Sequence, residues 1–191
     1  MLRLFTGLEI PHDIKLDLDM MKGGIVGARW MERDSHHLTL RFIGDIEESL
    51  ARDLAEALDG VAVPSFVIRL KGLGAFGGAK PHAIYAMAEM TPELKRLQSA
   101  HERVCQQVGL VGESRKFTPH VTLARLRRAD AGDVQRYIAA HNLYESRPFE
   151  IDRFVLYSAR PSRGGGPYAI AAEYPLAGRH AEPLLRSAGA R

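Results

Sequence analysis

The chain has 191 residues, of which 46% are hydrophobic and 26% are charged. This composition is that of an ordinary globular protein, so it argues against a disordered, collagenous or membrane-spanning chain, and one domain is expected at this length. The formal net charge is only +3, but 20 of the 26 cations are arginine, whose planar fork grips phosphate. The charge argues against a bulk nucleic-acid binder and favours a phosphate-bearing partner.

The N-terminal residues enter a strand-like segment without the apolar core and cleavage site of a signal peptide. No apolar run approaches the roughly 20 residues of a membrane helix. A cytoplasmic protein with no membrane partner is therefore expected. The single cysteine, Cys105, cannot form an internal disulfide and falls on the apolar stripe of a predicted helix, so we expect a buried, inert thiol.

Strand and helix patterns alternate along the chain. Alternating apolar residues predict strands at 2–10, 28–33, 36–43, 65–73, 82–89, 117–126, 149–158 and 168–174. Helical spacing and capping residues predict helices at 11–22, 47–59, 92–108 and 131–141. Each predicted strand has one apolar face and one polar face, which favours antiparallel sheets with helices on one face. We predict an α+β fold in which residues 1–178 form one domain and 179–191 a flexible tail.

A short motif occurs twice. His37-Leu38-Thr39-Leu40 returns 83 residues later as His120-Val121-Thr122-Leu123. Side chains alternate between the two faces of a strand, so each copy presents an imidazole and a hydroxyl on one face and two aliphatic side chains on the other. Two such strands lying side by side would bring both imidazoles and both hydroxyls into one cleft.

Two imidazoles and two hydroxyls suit the cleavage of a phosphodiester. A histidine pKa near 6.5 lets one copy accept a proton from the nucleophile while the other donates one to the leaving oxygen. The hydroxyls of Thr39 and Thr122 can donate to the non-bridging oxygens, and Arg125 can supply positive charge. The residues alone leave open which histidine is the acid.

The motifs and their surroundings resemble the 2H phosphoesterases, specifically the RNA 2′,3′-cyclic phosphodiesterases of bacteria and archaea, also known as 2′-5′ RNA ligase-like proteins. The resemblance runs from Arg3 to about Leu176. It rests on the opening residues 3–11, the motif blocks 37–44 and 117–125, and the segment 154–158. It implies a two-lobed fold of pseudo-symmetric halves, each an antiparallel sheet backed by helices, with the active site between them.

The resemblance also implies a role for each motif residue. His37 would protonate the leaving 3′ oxygen, His120 would activate water, Thr39 and Thr122 would hold the phosphate, and Arg125 would contact it. The substrate would be RNA ending in a 2′,3′-cyclic phosphate and the product a 2′-phosphate; the reverse chemistry would ligate tRNA halves. No metal or nucleotide cofactor is implied, and no metal-ligand spacing occurs among the eight histidines. We expect a monomer.

Two other functions stay open. One is a phosphodiesterase for a small cyclic nucleotide or an ADP-ribose cyclic phosphate, and the other is an RNA- or nucleotide-binding module without turnover. Phe5 and Tyr85 lie in predicted strands where an aromatic ring could stack on a base, with core packing as the alternative.

Four further features of the sequence lead to expectations about the surroundings of the motifs. His36, where the family usually has an apolar residue, is expected to be half-exposed on the face opposite His37. Residues 72–77 match a dinucleotide-binding pattern, but a strand follows them, so we expect a turn. Residues 163–166 are expected to form a hairpin loop that could touch RNA. The basic residues of 115–128 are interpreted as a solvated rim or an electrostatic funnel for RNA.

Overall fold

In the computed structural model, residues 1–159 and 168–177 are described. Within them the chain forms an α+β structure, as predicted. Its helices are α1 (His12–Met20), α2 (Glu48–Asp59), α3 (Pro92–Gln107) and α4 (Ala131–His141). Its strands are β1 (Leu2–Glu9), β2 (Ala28–Trp30), β3 (His37–Ile46), β4 (Phe66–Ile68), β5 (Leu70–Phe76), β6 (Ala83–Ala88), β7 (His120–Leu126), β8 (Phe149–Ile151), β9 (Arg153–Ala159) and β10 (Tyr168–Pro175).

The main sheet places the two motif strands next to each other. Its order is β10-β9-β1-β3-β7-β6-β5, with β2 also pairing with β7, and each of these pairings is antiparallel. A second sheet contains β4 and β8. In the described chain β3 and β7 pair at one position, where Leu38 lies opposite Val121. The sheet is therefore continuous, but the two lobes meet along a short seam.

The two halves of the chain repeat one order of elements. The series β1, α1, β3, α2, β4, β5 corresponds to β6, α3, β7, α4, β8, β9. The last strand of each series pairs with the first strand of the other, because β5 joins β6 and β9 joins β1. Each lobe is thus built from both halves of the chain. The chain therefore has the expected pseudo-symmetry, with the last strand of each half exchanged into the other lobe.

Helices α3 and α4 begin where a side chain caps a free N–H group. In α3 the Thr91 hydroxyl accepts a hydrogen bond from Leu94 N at 3.1 Å, and Pro92 occupies the first turn. In α4 the Asp130 carboxylate accepts one from Asp133 N at 3.0 Å. Both helices start within one residue of the predicted position.

One hydrophobic cluster fills the space between the helices and one face of the sheet. It joins Ile14 of α1, Leu54 of α2 and Leu94 of α3 to Leu38 and Val121 on the sheet, all of them fully buried. None of the helices within residues 1–159 and 168–177 is long and apolar enough to cross a membrane. The polar face of the sheet is left for the motif side chains.

The structure corrects the strand assignments in two places. The predicted strands 65–73 and 149–158 are each two strands, and the first of each pair belongs to the small β4–β8 sheet. Residues 72–76, expected to lie in a turn, are part of β5. Gly72 adopts a φ of 74° at an irregularity in the β5–β6 register, a conformation that glycine reaches without strain. The turn itself extends from Gly77 to Lys80, whose N–H donates to the Gly77 carbonyl oxygen at 2.9 Å.

Candidate active site

The pairing of β3 with β7 determines which motif side chains are neighbours. Because the strands are antiparallel and Leu38 faces Val121, His37 comes opposite Thr122 and Thr39 opposite His120. The central pair points into the core. The four flanking side chains alternate with that pair and therefore project together from the other face.

These four side chains share one cavity. His37, Thr39, His120 and Thr122 all line a cavity of about 200 Å³. The structure thus brings together the residues that the repeated motif predicted. Ser35, Met31, His82, Ala83, Phe76, Arg125 and Tyr168 complete the lining.

Both imidazoles are held in the same way. The Nδ1 atom of His37 lies 2.8 Å from the Ser35 carbonyl oxygen, and that of His120 lies 2.6 Å from the Thr118 carbonyl oxygen. A carbonyl oxygen can only accept, so each Nδ1 carries a hydrogen. In the neutral ring Nε2 then has the lone pair, and in the charged ring Nε2 carries the second proton. Each ring can therefore gain or lose a proton at Nε2 while its Nδ1 hydrogen bond is kept.

Burial lowers the pKa of both histidines. It lowers that of His37 to about 4; the bond to Ser35 opposes this shift, and the charge of His120 adds to it. The pKa of His120 is also lowered, mainly by burial and against the bond to Thr118. With no anion in the cleft, both rings are neutral at pH 7.

Aromatic rings surround His37. The ring centroids of Phe5, Tyr168 and Tyr157 lie 4.8, 5.0 and 5.6 Å from that of the imidazole. Phe5, Tyr157 and Val155 form a small apolar cluster on this face of the sheet, separate from the main core. The cluster fixes the position of the imidazole and removes water from it.

His120 has a similar environment in the other lobe. Phe76 and Tyr85 lie 4.8 and 5.1 Å from its ring centroid and 4.3 Å from each other. Phe5 is 3% exposed and Tyr85 8% exposed, so neither offers a free face to a base. Both rings pack beside the catalytic candidates, and base stacking by either stays a prediction.

Arg125 is exposed at the edge of the cavity. Together with Tyr168 it lines this edge of the cavity. The pKa of Tyr168 is raised by burial and lowered to a smaller extent by Arg125. The sequence indicated Arg125 but not Tyr168, because nothing in the pattern of the last strand shows that it reaches the cleft.

The cavity continues into a larger groove. This groove, of about 510 Å³, shares Thr39, His120 and Phe76 with the cavity and extends past Phe117 to the basic residues Arg115 and Lys116. His82, to which the sequence assigned no role, lines both spaces and stacks on Phe76 with a centroid distance of 6.3 Å. Arg115 is bound to Glu113 through its guanidinium.

The position of His36 is a correction to the sequence analysis. Its side chain is buried, with 2% of the residue exposed, rather than half-exposed at a strand end. Its Nδ1 donates to the Thr122 carbonyl oxygen at 3.2 Å. The alternation rule misplaced it because β3 begins only at His37, and His36 ends a 3₁₀ turn over Arg33–Ser35.

Two other expectations concern the surroundings of the cleft. The loop 163–166 lies outside the described residues. Within residues 1–159 and 168–177, no three His, Cys, Asp or Glu side chains are grouped so that they could hold a metal ion.

The sequence matches a known family over most of its length. The family model for the 2′-5′ RNA ligase superfamily matches residues 26–163, a segment that includes both motifs. The chain belongs to this superfamily. The resemblance stated from the two motifs is thereby confirmed.

Relatives of the chain are named RNA 2′,3′-cyclic phosphodiesterase. That of Aquifex aeolicus is 28% identical over 175 residues, which are 89% of this chain and 91% of the relative. That of Aeropyrum pernix is 36% identical over 106 residues, covering 54% of this chain and 60% of the relative.

Solved structures share the fold. A crystal structure of a Thermus thermophilus protein has a TM-score of 0.78 at 21% identity and covers 93% of this chain and 100% of that chain. Escherichia coli LigT complexed with 3′-AMP has a TM-score of 0.74 at 21% identity, with 92% of this chain and 98% of LigT covered. At this identity the likeness shows the fold.

Proposed function

We propose that the chain opens the 2′,3′-cyclic phosphate at the end of an RNA to a 2′-phosphate. The observation that carries the proposal is the sharing of one cavity by two imidazoles and two hydroxyls, with each imidazole tied through Nδ1 to a carbonyl oxygen. The relatives named RNA 2′,3′-cyclic phosphodiesterase give the substrate class.

His120 is the proton acceptor and His37 the proton donor in this proposal. Nε2 of His120 takes a proton from a water molecule as the water oxygen attacks phosphorus. The bond between phosphorus and the 3′ oxygen breaks, and that oxygen takes the proton from Nε2 of His37. The products are a 2′-phosphate and a free 3′-hydroxyl.

The remaining polar side chains hold the phosphate. The hydroxyls of Thr39 and Thr122 donate to the two non-bridging oxygens, and Arg125 offsets the negative charge that grows on them. Every proton transfer uses a side chain of this protein, so the proposed reaction requires no metal ion or nucleotide cofactor. Both motifs come from one domain, placed at residues 1–178, and we propose that a monomer suffices.

The groove beside the cavity favours RNA over a small cyclic phosphate. It extends from His120 past Phe117 to Arg115 and Lys116, and its volume of about 510 Å³ exceeds that of the cavity. A single strand upstream of the cyclic end can follow such a path, with cations near its phosphates. A mononucleotide would leave the groove empty.

The same residues can catalyse ligation. If the 5′-hydroxyl of a second RNA replaces water as the nucleophile, His120 takes its proton, the bond between phosphorus and the 3′ oxygen breaks, His37 protonates that oxygen, and a 2′-5′ phosphodiester forms. We include this reaction, with tRNA halves as the candidate substrates, in the proposal.

The test is turnover of a short RNA that ends in a 2′,3′-cyclic phosphate, in the presence of EDTA. Phosphorus NMR distinguishes the expected 2′-phosphate from a 3′-phosphate. His37→Ala and His120→Ala should each lower kcat by about 10² to 10⁴ while RNA binding is kept. His12→Ala, at an exposed position on α1 away from the cavity, is the matched control and should be fully active.

Three results would contradict the proposal. Binding of RNA without turnover would indicate the non-catalytic module. A reaction that begins only when a divalent ion is added would contradict the metal-free mechanism. Equal kcat/KM for a mononucleotide cyclic phosphate and the longer RNA would contradict the role of the groove.

A further inference from the structure

The segment that leads into the first motif runs along the second motif strand. From Ala28 to Trp30 it pairs with β7 as strand β2, and Met31 N then donates to the Leu123 carbonyl oxygen at 2.8 Å. The chain next leaves β7 for the 3₁₀ turn over Arg33–Ser35 and returns where Leu38 pairs with Val121. The Thr122 carbonyl lies between these two contacts, beside the excursion of the chain.

The imidazole of His36 supplies a side-chain hydrogen bond to this carbonyl. Its Nδ1 donates to the Thr122 carbonyl oxygen at 3.2 Å, and its other nitrogen lies 3.8 Å from Asp19 Oδ1. Asp19 is itself held on α1 by Lys22 at 2.6 Å and Arg33 at 2.5 Å. The buried ring is therefore fixed between the first helix and the second motif strand.

We propose that His36 is a positioning residue that holds Thr122 against the phosphate by bonding to its carbonyl oxygen. The inference rests on the proposed function for its catalytic consequence. The seam between β3 and β7 has one residue pair in the described chain, so a side-chain bond beside it has a large share in fixing the register of the two motifs. A misplacement of about 1 Å in such a site can cost about a hundredfold in rate.

The lowered pKa of His36 agrees with a neutral ring that carries its single hydrogen on Nδ1. The pKa of His36 is lowered mainly by burial, with Lys22 and Lys15 adding to the effect and Thr122 and Asp19 opposing it. A neutral imidazole has one N–H, and the Thr122 carbonyl oxygen requires it at Nδ1. The single N–H group of His36 therefore donates to the second motif strand.

Two variants of the same shape isolate the hydrogen bond. His36→Asn can place an amide N–H where Nδ1 lies, whereas His36→Leu has the same branching with no donor. We expect His36→Leu to lower kcat about tenfold with KM within about twofold of the wild type, and His36→Asn to recover kcat to within about threefold. The substrate is the RNA 2′,3′-cyclic phosphate, at a temperature where thermal unfolding shows every variant to be folded.

A second measurement does not depend on activity. Amide hydrogen exchange at Thr39 and Thr122, whose N–H groups face the seam between β3 and β7, should be several-fold faster in His36→Leu than in the wild type and in His36→Asn. Equal kcat and equal exchange in the two variants would overturn the inference, because packing alone would then explain His36. An inactive wild type with the expected exchange difference would instead refute the proposed function and leave the tie between the strands standing.

Discussion

A phosphate anion bound in the cleft should restore the proton that burial removes from His37. Burial lowers the pKa of this histidine to about 4, so at pH 7 about one ring in a thousand is charged. An anion about 4 Å away, at an effective dielectric constant of about 20, stabilises the imidazolium by about 4 kcal/mol, which is about a thousandfold in protonation. In the proposed mechanism, the substrate would thus supply the charge that makes His37 an acid at neutral pH.

NMR titration of 13C-labelled histidine measures this change. We expect the His37 pKa to rise towards neutrality when a nucleoside 2′-phosphate binds, and the His120 pKa to rise for the same reason. The pH profile of kcat/KM, which reports the free enzyme, should be bell-shaped with both limbs below pH 6.5, whereas that of kcat should lie at higher pH. Because the rings interact, the two limbs belong to the pair.

The result that would refute this reasoning is a His37 pKa near 6.5 in the free protein, or one that the bound nucleotide leaves unchanged. The ring would then carry its proton for another reason, and burial by its aromatic neighbours would have no part in the pH dependence.

Two further predictions concern a glycine beside the site and a buried histidine of α3. Gly74→Ala would place Cβ 2.6 Å from the Tyr85 ring, so it should displace that ring, lower kcat and destabilise the fold by about 1–3 kcal/mol, as turnover and urea unfolding can measure. Gly60→Ala, whose Cβ meets its nearest atom at 3.5 Å, is the control and should be neutral. The buried His101 has a pKa lowered to about 4, so the unfolded chain binds its proton first and stability falls as the pH drops from 6.5 towards 4. His101→Leu should remove about 2 kcal/mol of the loss in unfolding free energy between pH 7 and about pH 5; an unchanged loss would contradict this.

The sequence predicted the features that depend on local pattern. Alternation along a strand places His37 with Thr39 and His120 with Thr122 whatever the strands pair with, so the composition of each motif face followed from the residues alone. Thr91 and Pro92 predicted the start of α3 in the same local way. Such features need no knowledge of distant contacts.

The features that were missed depend on long-range pairing. Phe66–Ile68 pairs with Phe149–Ile151, which lies far along the chain, and periodicity does not reveal that these segments leave the main sheet. Gly72 was expected in a turn because glycine marks turns and register irregularities equally well. His36 was placed on an exposed face by alternation, but its burial depends on Asp19 and Thr122, which lie on other elements.

The fold makes two equivalent motifs chemically unequal. Under the pseudo-symmetry Phe5 and Tyr157 beside His37 correspond to the pair of rings beside His120, since β9 and β1 match β5 and β6. Within the described residues β10 has no counterpart in the other lobe, and it adds the ring of Tyr168 beside His37. Of the two imidazoles, His37 is the one whose pKa burial lowers to about 4. The same tyrosine lines the cavity together with Arg125, which lowers its pKa against the larger effect of burial. In the proposed mechanism, β10 therefore excludes water from the acid and lines the cavity beside the cation, so a repeated sequence motif yields a site with two distinct ends.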